Sequence, residues 1–586
     1  MVRIAVIEKE RCHPDRCGNY LCARLCPVNR TGSDCIVQGS DGKAFIHANL
    51  CTGCGICPKR CPFGAIHIIN LPEALNKPPV HQYIDANGFR LFNLPTPMFG
   101  KVVGILGRNG IGKSTALKVL AGILKPNLGV FEGEPDFNDL IKFYKGTEAQ
   151  IFFEKLRDGE IKAVYKPQAV DLIPKSTSGT VEDVLKKVDE KGEFGKIVRE
   201  LELERFLQSN LSDISGGELQ RVAIAATILK KGNLYIFDEP TSYLDIKQRL
   251  KVANLIKSLA TEDTAVLVVE HDLIMLDHLA DLVYIVYGEE AAYGIVSQIK
   301  PTRVAINVYL DGYLKEENVR FRDSNISFDS RPTHRAKQRT QLTSWKDIEL
   351  TQGNFKLTAH SGKIYKHTVI GILGENGIGK TTFVRILAGV MQAEKGEVET
   401  KVKVSYKPQY VHGESSAKVK EILGSKYEQY ETQIMKPLRV DRLTDMSLNE
   451  LSGGELQRVA IARCLTQDAD LYLLDEPCAY LDVEQRLVVS KIIREQMEQK
   501  GKSALIVDHD LLFIDYVADD LIVFEGIPAR EGQANGPFSM EEGMNLFLGN
   551  LNITVRRDHE SKRPRINKEN SQLDREQKSS KRLYYS

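Results

Sequence analysis

Two glycine-rich loops carry the first chemistry in the sequence: Gly107-Arg108-Asn109-Gly110-Ile111-Gly112-Lys113-Ser114-Thr115 and, far downstream, Gly374-Glu375-Asn376-Gly377-Ile378-Gly379-Lys380-Thr381-Thr382. Glycines let successive backbone N–H groups curl around phosphate oxygens at a helix N-terminus. The lysine of such a loop reaches the outer phosphates, and the hydroxyl of Ser114 or Thr381 ligates Mg²⁺. Two apolar runs, Leu234–Phe237 and Leu471–Leu474, read as buried strands, and each ends in an acidic pair, Asp238-Glu239 and Asp475-Glu476. The aspartate of such a pair holds the magnesium, directly or through water, and the glutamate orients and polarises the attacking water. An acidic pair alone is usually a solvated turn. At the end of an apolar strand, in a chain with these loops, it reads as catalytic. The chemistry is nucleoside triphosphate hydrolysis, twice.

The cysteines point to a second chemistry. Nine of eleven fall in the first 61 residues, and in a chain without export signals such clustering favours metal over disulfides. The run Cys51-x2-Cys54-x2-Cys57-x3-Cys61-Pro62 is the spacing that holds [4Fe–4S] cubes in bacterial ferredoxins, where the fourth cysteine ligates the neighbouring cluster. A looser run, Cys12-x4-Cys17-x4-Cys22-x3-Cys26-Pro27, precedes it. By that logic Cys51, Cys54, Cys57 and Cys26 hold one cube, while Cys12, Cys17, Cys22 and Cys61 hold the other. Two all-cysteine zinc sites are the competing reading, and the Cys-Pro endings favour iron–sulfur. Cys35 is left over, and reads as a free thiol packed as a small apolar group.

The elements that must position these groups repeat. The loops lie 267 residues apart (Gly104 to Gly371), whereas Ser215-Gly216-Gly217 and Ser452-Gly453-Gly454 are 237 apart and His271 and His509 are 238 apart. The first copy therefore carries an insertion, placed at about 130–160. There Phe137, Leu140, Ile141 and Tyr144 have helical spacing, Gly146 is a stop, and Thr147 with Gln150 reads as a capping box opening a second helix through Ile151, Phe152 and Leu156. This helix–loop–helix is absent from the second copy, so it is expected to be dispensable for folding. Trailing segments at 289–345 and 526–586 are built on one plan and read as matched hinges. Each has a basic stretch, Arg331, Arg335, Lys337, Arg339 and Lys346 in the first and 556–568 in the second; a solvated loop is the competing reading, and the matching places favour polyanion contacts. With 586 residues and a net charge of +1, the chain is too long for one core and has no global field for nucleic acid or membrane. No apolar run approaches the ~20 residues of a membrane span, and the start is too soon charged for a signal peptide. The expected location is cytoplasmic.

The residues Leu451-Ser452-Gly453-Gly454-Glu455-Leu456-Gln457-Arg458, with Ile214 replacing the first leucine in copy one, resemble the signature of the ATP-binding-cassette superfamily. The resemblance implies that each signature closes over nucleotide held by the other half: Ser215 and Gly217 facing Lys380, Ser452 and Gly454 facing Lys113. It makes Gln168 and Gln409 the Q-loop residues, beside Mg²⁺, His271 and His509 the switch histidines, and Asp245 and Asp482 the D-loop residues. Cys478 departs from the usual hydroxyl residue after Asp-Glu-Pro. Adenine in this superfamily stacks on an aromatic upstream of the loop; Tyr83, with Phe89 nearby, is the candidate in the first half and Trp345 a weaker one in the second.

Two cassettes, a ferredoxin-like start and matched hinges together are similar to the class-E ATP-binding-cassette family, also called RNase L inhibitors. Leu94-Pro95-Thr96-Pro97, Asn318-Val319-Arg320-Phe321-Arg322 and Arg563-Pro564-Arg565-Ile566-Asn567-Lys568 carry the likeness, although the first cysteine run has one extra residue at Gly18-Asn19-Tyr20-Leu21. The resemblance implies an α/β fold with two tandem ABC-type nucleotide-binding domains (76–288 and 346–525) behind an N-terminal ferredoxin-like α+β iron–sulfur domain (1–75). It implies an ATPase using ATP, Mg²⁺ and two [4Fe–4S] clusters, which splits ribosomes with a peptide-chain release factor or its rescue relative. The hinges and the helix–loop–helix would contact the small ribosomal subunit, and initiation factors are left open as further partners. Two rivals remain at this stage. A redox-coupled ATPase would need an electron acceptor site, and no flavin, haem or further cluster motif supplies one. In a transporter ATPase subunit, the ferredoxin module and basic hinges have no evident role.

Overall fold

The computed structural model of the protein describes all residues except 1, 8–11, 40–41, 48–49, 72–77, 84–87, 131–136, 291, 323–324, 327, 329–339, 400–401, 410–414 and 586. In the first cassette the parallel strands run in the order Ala163–Lys166, Leu234–Asp238, Ala265–Val269, Val102–Leu106, Leu282–Glu289. Three of them, 102–106, 234–238 and 265–269, are buried at every position, as continuous apolar runs covered on both faces must be. The second cassette repeats the order with Val404–Lys407, Leu471–Asp475, Ser503–Val507, Val369–Leu373 and Asp520–Ile527. Loops and acidic pairs therefore emerge together at the carboxyl ends of these strands, where open α/β sheets bind ligands.

Each parallel sheet is closed by an antiparallel strand. Tyr293–Val296 pairs with Leu282–Glu289, and Glu531–Ser539 pairs with Asp520–Ile527. The second sheet also takes in Gln341–Gln352. This corrects the expected borders: 293–296, 341–345 and 531–539 are cassette strand, not hinge. Without them 282–289 and 520–527 would stand as unpaired edges.

The insertion folds as two helices, Phe137–Phe143 and Glu148–Arg157. Its turn differs from a capping box: Gln150 Oε1 accepts from Gly146 N–H at 2.8 Å, and Thr147 Oγ1 donates to the Tyr144 carbonyl at 2.7 Å. Nor is it peripheral. Leu140, Tyr144, Phe152 and Phe153 are buried in the same apolar cluster as Leu117 and Leu120 of the first loop's helix, and the Tyr144 and Phe153 rings stack at 5.4 Å. The insertion thus shares the core of the first cassette, a packing that speaks against its expected dispensability for folding.

In the N-terminal module Val2–Ile7 pairs antiparallel with Ile66–Leu71, and three short helices and the hairpin 36–38/44–46 fill the space between. The trailing segments contribute the helices Thr302–Asp311 and Met540–Leu551. Of the basic stretches, 331–339 lies outside the described residues. In 556–568 the expected outward array is only partly present. Arg563 is fully buried with Nη1 3.5 Å from Asp277, and Arg565 forks onto Asp277 at 2.6 and 3.0 Å, so both are committed inside the protein while Arg556, Lys562 and Lys568 stay exposed.

Candidate active sites

Each glycine loop leads straight from a fully buried strand into a helix, Lys113–Leu120 or Lys380–Leu387. Lys113 Nζ donates to the Gly107 carbonyl at 3.0 Å and to that of Arg108, and Lys380 Nζ makes the matching contacts with Gly374, at 2.9 Å, and Glu375. Burial pulls both ammonium groups below the usual lysine range, against the carboxylates around them. A lysine held at the mouth of a loop of N–H donors makes a phosphate seat.

Asp238 and Asp475 are buried at the strand ends; Asp238 Oδ2 accepts from the Tyr165 hydroxyl at 3.2 Å, while Asp238 Oδ1 and both Asp475 oxygens have no hydrogen-bond partner among the described residues, and burial raises both carboxyls. The next residues, Glu239 and Glu476, have φ of 48° and 47°, a left-handed backbone that side chains rarely adopt and that functional sites tolerate. Gln168 Nε2 donates to Glu239 Oε1 at 2.6 Å, and Gln409 Nε2 to Glu476 Oε1 at 2.7 Å. These contacts use the amide N–H and not the oxygen a metal would take. His271 Nε2 lies 3.2 Å from Glu239 Oε1, whereas His509 Nε2 lies 4.0 Å from Glu476 Oε1. The electrostatics follow that difference. Burial pushes the Glu239 carboxyl up, but His271, Lys113 and Lys166 outweigh it and hold the group at about 2. At Glu476 burial, with Asp475 and Asp508, wins and raises the carboxyl, while burial and Lys380 push His509 well below the usual histidine range.

The two cassettes meet face to face. Asp482 uses one oxygen to cap its own helix, accepting from Gln485 N–H at 2.9 Å, and the other to accept from Asn109 N–H in the opposite loop at 3.1 Å. Asp245 does the same with Gln248 and with Asn376 N–H, both at 2.9 Å. Asn109 and Asn376 also reach the Tyr480 and Tyr243 carbonyls at 3.3 Å, and the two tyrosine hydroxyls meet at 3.3 Å. A cavity of about 580 Å³ lies across the first seam, lined by Asn109, Gly110, Gly112, Lys113, Ser114, Thr115, Gln168 and Glu239 on one side and by Ser452, Gly454 and Arg458 on the other. At the second seam Gly217 packs on Tyr243, whose carbonyl takes the Asn376 amide beside Gly374, Gly377, Gly379, Thr381 and Thr382. Ser215 and Ser452 both stand at helix N-termini in capping boxes with Glu218 and Glu455. Cys478 keeps the backbone role of its counterpart: its N–H donates to Asp508 at 3.0 Å, as Thr241 N–H does to Glu270.

Tyr83 stands at the rim of the cavity with its hydroxyl 3.4 Å from Thr115 Oγ1, and Phe89 lies deeper. Trp345 is not a stacking candidate. It is 2% exposed, packed on Phe383 at 5.4 Å, with Nε1 donating to the His360 carbonyl. The counterpart of Phe89 is Phe355: the two rings back Gly112 and Gly379 in the same way. Sequence reasoning also missed Gly294 and Gly532, which press against the loops at the Ile111 and Ile378 carbonyls. The repeat offset of 238, shared with the histidines, was the signal for both glycines.

Six of the eight motif cysteines, Cys12, Cys22, Cys26, Cys51, Cys57 and Cys61, gather in one small core with Cys35, while Cys54 is exposed. Cys22 sits beside Cys12 and Cys17, Cys57 beside Cys51 and Cys54, and Cys35 touches both Cys26 and Cys51. Burial, with these neighbours, pushes Cys57 up to about 12 and Cys22 up to about 11. Without a cation these thiols stay protonated; the irons of a cubane would supply the charge that turns them into thiolate ligands. The donor set fits.

The helices that follow the histidines, Leu273–Leu279 and Leu511–Val517, are both gripped by the end of the chain. Asp277 is held by Arg563 and Arg565; Asp515, at the same place in the repeat, accepts from the hydroxyls of Tyr584 and, at 2.7 Å, Tyr585.

No helix among the described residues is long and apolar enough to cross a membrane. The family profile described as ABC transporter matches residues 98–242 and 357–479, that of a possible Fer4-like domain in RNase L inhibitor matches 2–34, and that of a 4Fe-4S binding domain matches 44–67. Along its whole length the chain is 44% identical to translation initiation factor RLI1 of Saccharomyces cerevisiae, 98% of which is covered. A structure of ribosome-bound archaeal Pelota and ABCE1 superposes with a TM-score of 0.91 at 53% identity, covering 100% of this chain and 99% of that one. The crystal structure of archaeal ribosomal stalk protein aP1 with archaeal ribosome recycling factor aABCE1 gives 0.82 at 52% identity, over 87% of this chain and 99% of that one.

Proposed function

The chain belongs to the class-E ATP-binding-cassette proteins, the RNase L inhibitors, and from that premise we propose that it is a cytoplasmic, ATP-driven ribosome recycling factor. It is an ATPase of the cassette type. Hydrolysis takes place at two composite sites. In each, one cassette supplies the phosphate seat at Lys113 or Lys380, and the other supplies the signature at Ser452 and Gly454, or Ser215 and Gly217. Ser114 and Asp238, or Thr381 and Asp475, with the Gln168 or Gln409 amide oxygen, would hold Mg²⁺, which neutralises phosphate charge when bound. Glu239 and Glu476 take the role of polarising the attacking water, with His271 and His509 completing the ring of contacts around the reacting phosphate. Two [4Fe–4S] clusters, on Cys51, Cys54, Cys57 and Cys26 and on Cys12, Cys17, Cys22 and Cys61, would make the N-terminal module one rigid body.

Closure of the seams moves that module against a release factor or its rescue relative and forces the subunits apart; the protein then stays on the small subunit until hydrolysis reopens it. The helix–loop–helix and the exposed Arg556, Lys562 and Lys568 of the second hinge form the small-subunit surface. The observation that carries this reading is the likeness over the entire chain, iron–sulfur module and both hinges included, to a protein bound to the ribosome. Sedimentation with ribosomal subunits in a non-hydrolysable ATP analogue tests it. Co-migration with small subunits is expected; sedimentation with membranes, or with neither, would overturn it.

A further inference from the structure

The two seams are related by the repeat, yet the ion pairs that close them have opposite polarity. At the first, Arg108 Nε meets Glu484 Oε2 at 2.5 Å; at the second, Lys247 Nζ meets Glu375 Oε1 at 2.8 Å. Arg108 and Glu375 occupy the same place in their glycine loops. Lys247 and Glu484 occupy the same place in their helices, two residues after Asp245 and Asp482. Cassette one is thus cationic at both positions and cassette two anionic at both.

Apart from Arg439, which lies 3.5 Å from Glu290 at the first seam, the contacts that recur across the seams do not tell the cassettes apart. Asparagine to aspartate, asparagine to tyrosine carbonyl and tyrosine to tyrosine recur in both halves with nearly the same lengths. By these recurring contacts alone, a cassette could close on the like cassette of a second copy as readily as on its own partner. The charges forbid it. Cassette one against cassette one would set Arg108 against Lys247 twice, and cassette two against cassette two would set Glu375 against Glu484 twice. Like charges facing each other across an interface suppress wrong partners. The Glu484 side chain is only 14% exposed, and its other oxygen is held by Arg322 Nε at 2.9 Å and Nη2 at 2.6 Å, so this carboxylate is fixed in place and cannot swing into solvent.

We infer that Arg108, Glu484, Lys247 and Glu375 form a polarity key that admits only unlike cassettes to closure and rejects like-with-like pairing between two copies of this chain. The inference rests on the composite closure proposed above. It predicts that one charge reversal both weakens the proper seam and makes a cassette complementary to itself.

The test uses the full chain with Lys247→Glu, Glu375→Lys and the double swap. Neither residue type is foreign to its place, because Arg108 and Glu484 already stand at the equivalent positions, and circular dichroism checks that each variant is folded. Steady-state ATP turnover should fall about fivefold or more in each single variant and return to within about twofold of wild type in the swap, which re-pairs the seam. On the Glu239→Gln, Glu476→Gln background with ATP, each single variant should sediment at the mass of two chains and the wild type at that of one. Unchanged turnover in the single variants, a swap no better than they are, or single-chain mass throughout would each overturn the key. Failure of the composite sites themselves shows separately, as wild-type turnover that survives Lys113→Ala with Lys380→Ala.

Discussion

Alanine at Gly532 would place its Cβ 1.9 Å from the Ile378 carbonyl oxygen inside the second glycine loop, and alanine at Gly294 would fall 2.0 Å from that of Ile111 in the first. Real Cβ atoms essentially never come closer than 3.0 Å to a neighbour, so about 1 Å must open between strand and loop. The strand is the stiffer partner. Residues 531–539 are paired on one side with Asp520–Ile527 and on the other with Phe355–Ala359, and the Phe355 ring already lies 3.3 Å from the new methyl. The loop therefore moves, and with it the backbone N–H groups and Lys380. A displacement of ~1 Å in a catalytic array costs on the order of 100-fold in rate. Stability suffers less, because overpacking costs ~1–3 kcal/mol, or a few degrees in a cassette of this size. Phosphate release at saturating ATP, with thermal unfolding of the same samples, separates the two effects. Turnover of the Gly294→Ala, Gly532→Ala protein should fall about 100-fold while the cassettes remain folded at assay temperature. A double variant within about threefold of wild type would show that the strand does not fix the loop.

Glu239→Gln with Glu476→Gln should keep ATP bound and the protein on small subunits, since the loop N–H groups that seat phosphate and the hydrogen bonds across the seams do not use the carboxylate charge. The two single variants should differ in turnover, because His271 approaches its glutamate more closely than His509 does; hydrolysis at the wild-type rate in the double variant would remove both residues from catalysis. Cys57→Ser should abolish the iron–sulfur absorbance and unfold the N-terminal module while nucleotide binding survives in the separately cored cassettes, and reversible control of turnover by cluster oxidation would contradict a mechanical role. In the insertion, Phe153→Ala should lower stability by ~3–5 kcal/mol, whereas exposed Ile151→Asp should leave unfolding unchanged and weaken sedimentation with small subunits; equal effects on unfolding would contradict the packing.

The parts legible in the sequence are those whose chemistry is local. A phosphate seat is made from consecutive backbone groups, so Gly107–Thr115 announces itself. The acidic strands do so as well, because burial on both faces leaves an unbroken apolar run ahead of Asp238 and Asp475. What escaped depends on residues brought together from far apart. Nothing near Trp345 says that it faces Phe383 and not the nucleotide, and nothing near Phe355 says that a sheet sets it under Gly379. Arg563 and Arg565 read as outward charge until Asp277, far upstream, is seen to meet them. The hinge borders moved for the same reason: a strand that closes a sheet edge is defined by its neighbour.

The grip on Asp277 also sets an order of assembly. Arg563 lies 286 residues beyond that carboxylate, so the first switch helix is finished by a segment synthesised long after it. At ~5–20 residues per second, the interval is on the order of a quarter-minute to a minute. Through it the first cassette possesses its loop, its acidic strand and its histidine, but not the arginines that fix the helix behind that histidine. The second switch helix waits for Tyr584 and Tyr585 in the same way, over a shorter stretch. Protease cleavage at the Leu273–Leu279 helix in nascent chains should therefore persist until residues 563–585 have left the exit tunnel; early protection would show that the helix sets without them. A nascent chain thus gains its two switches together, only once the segment 563–585 has been made.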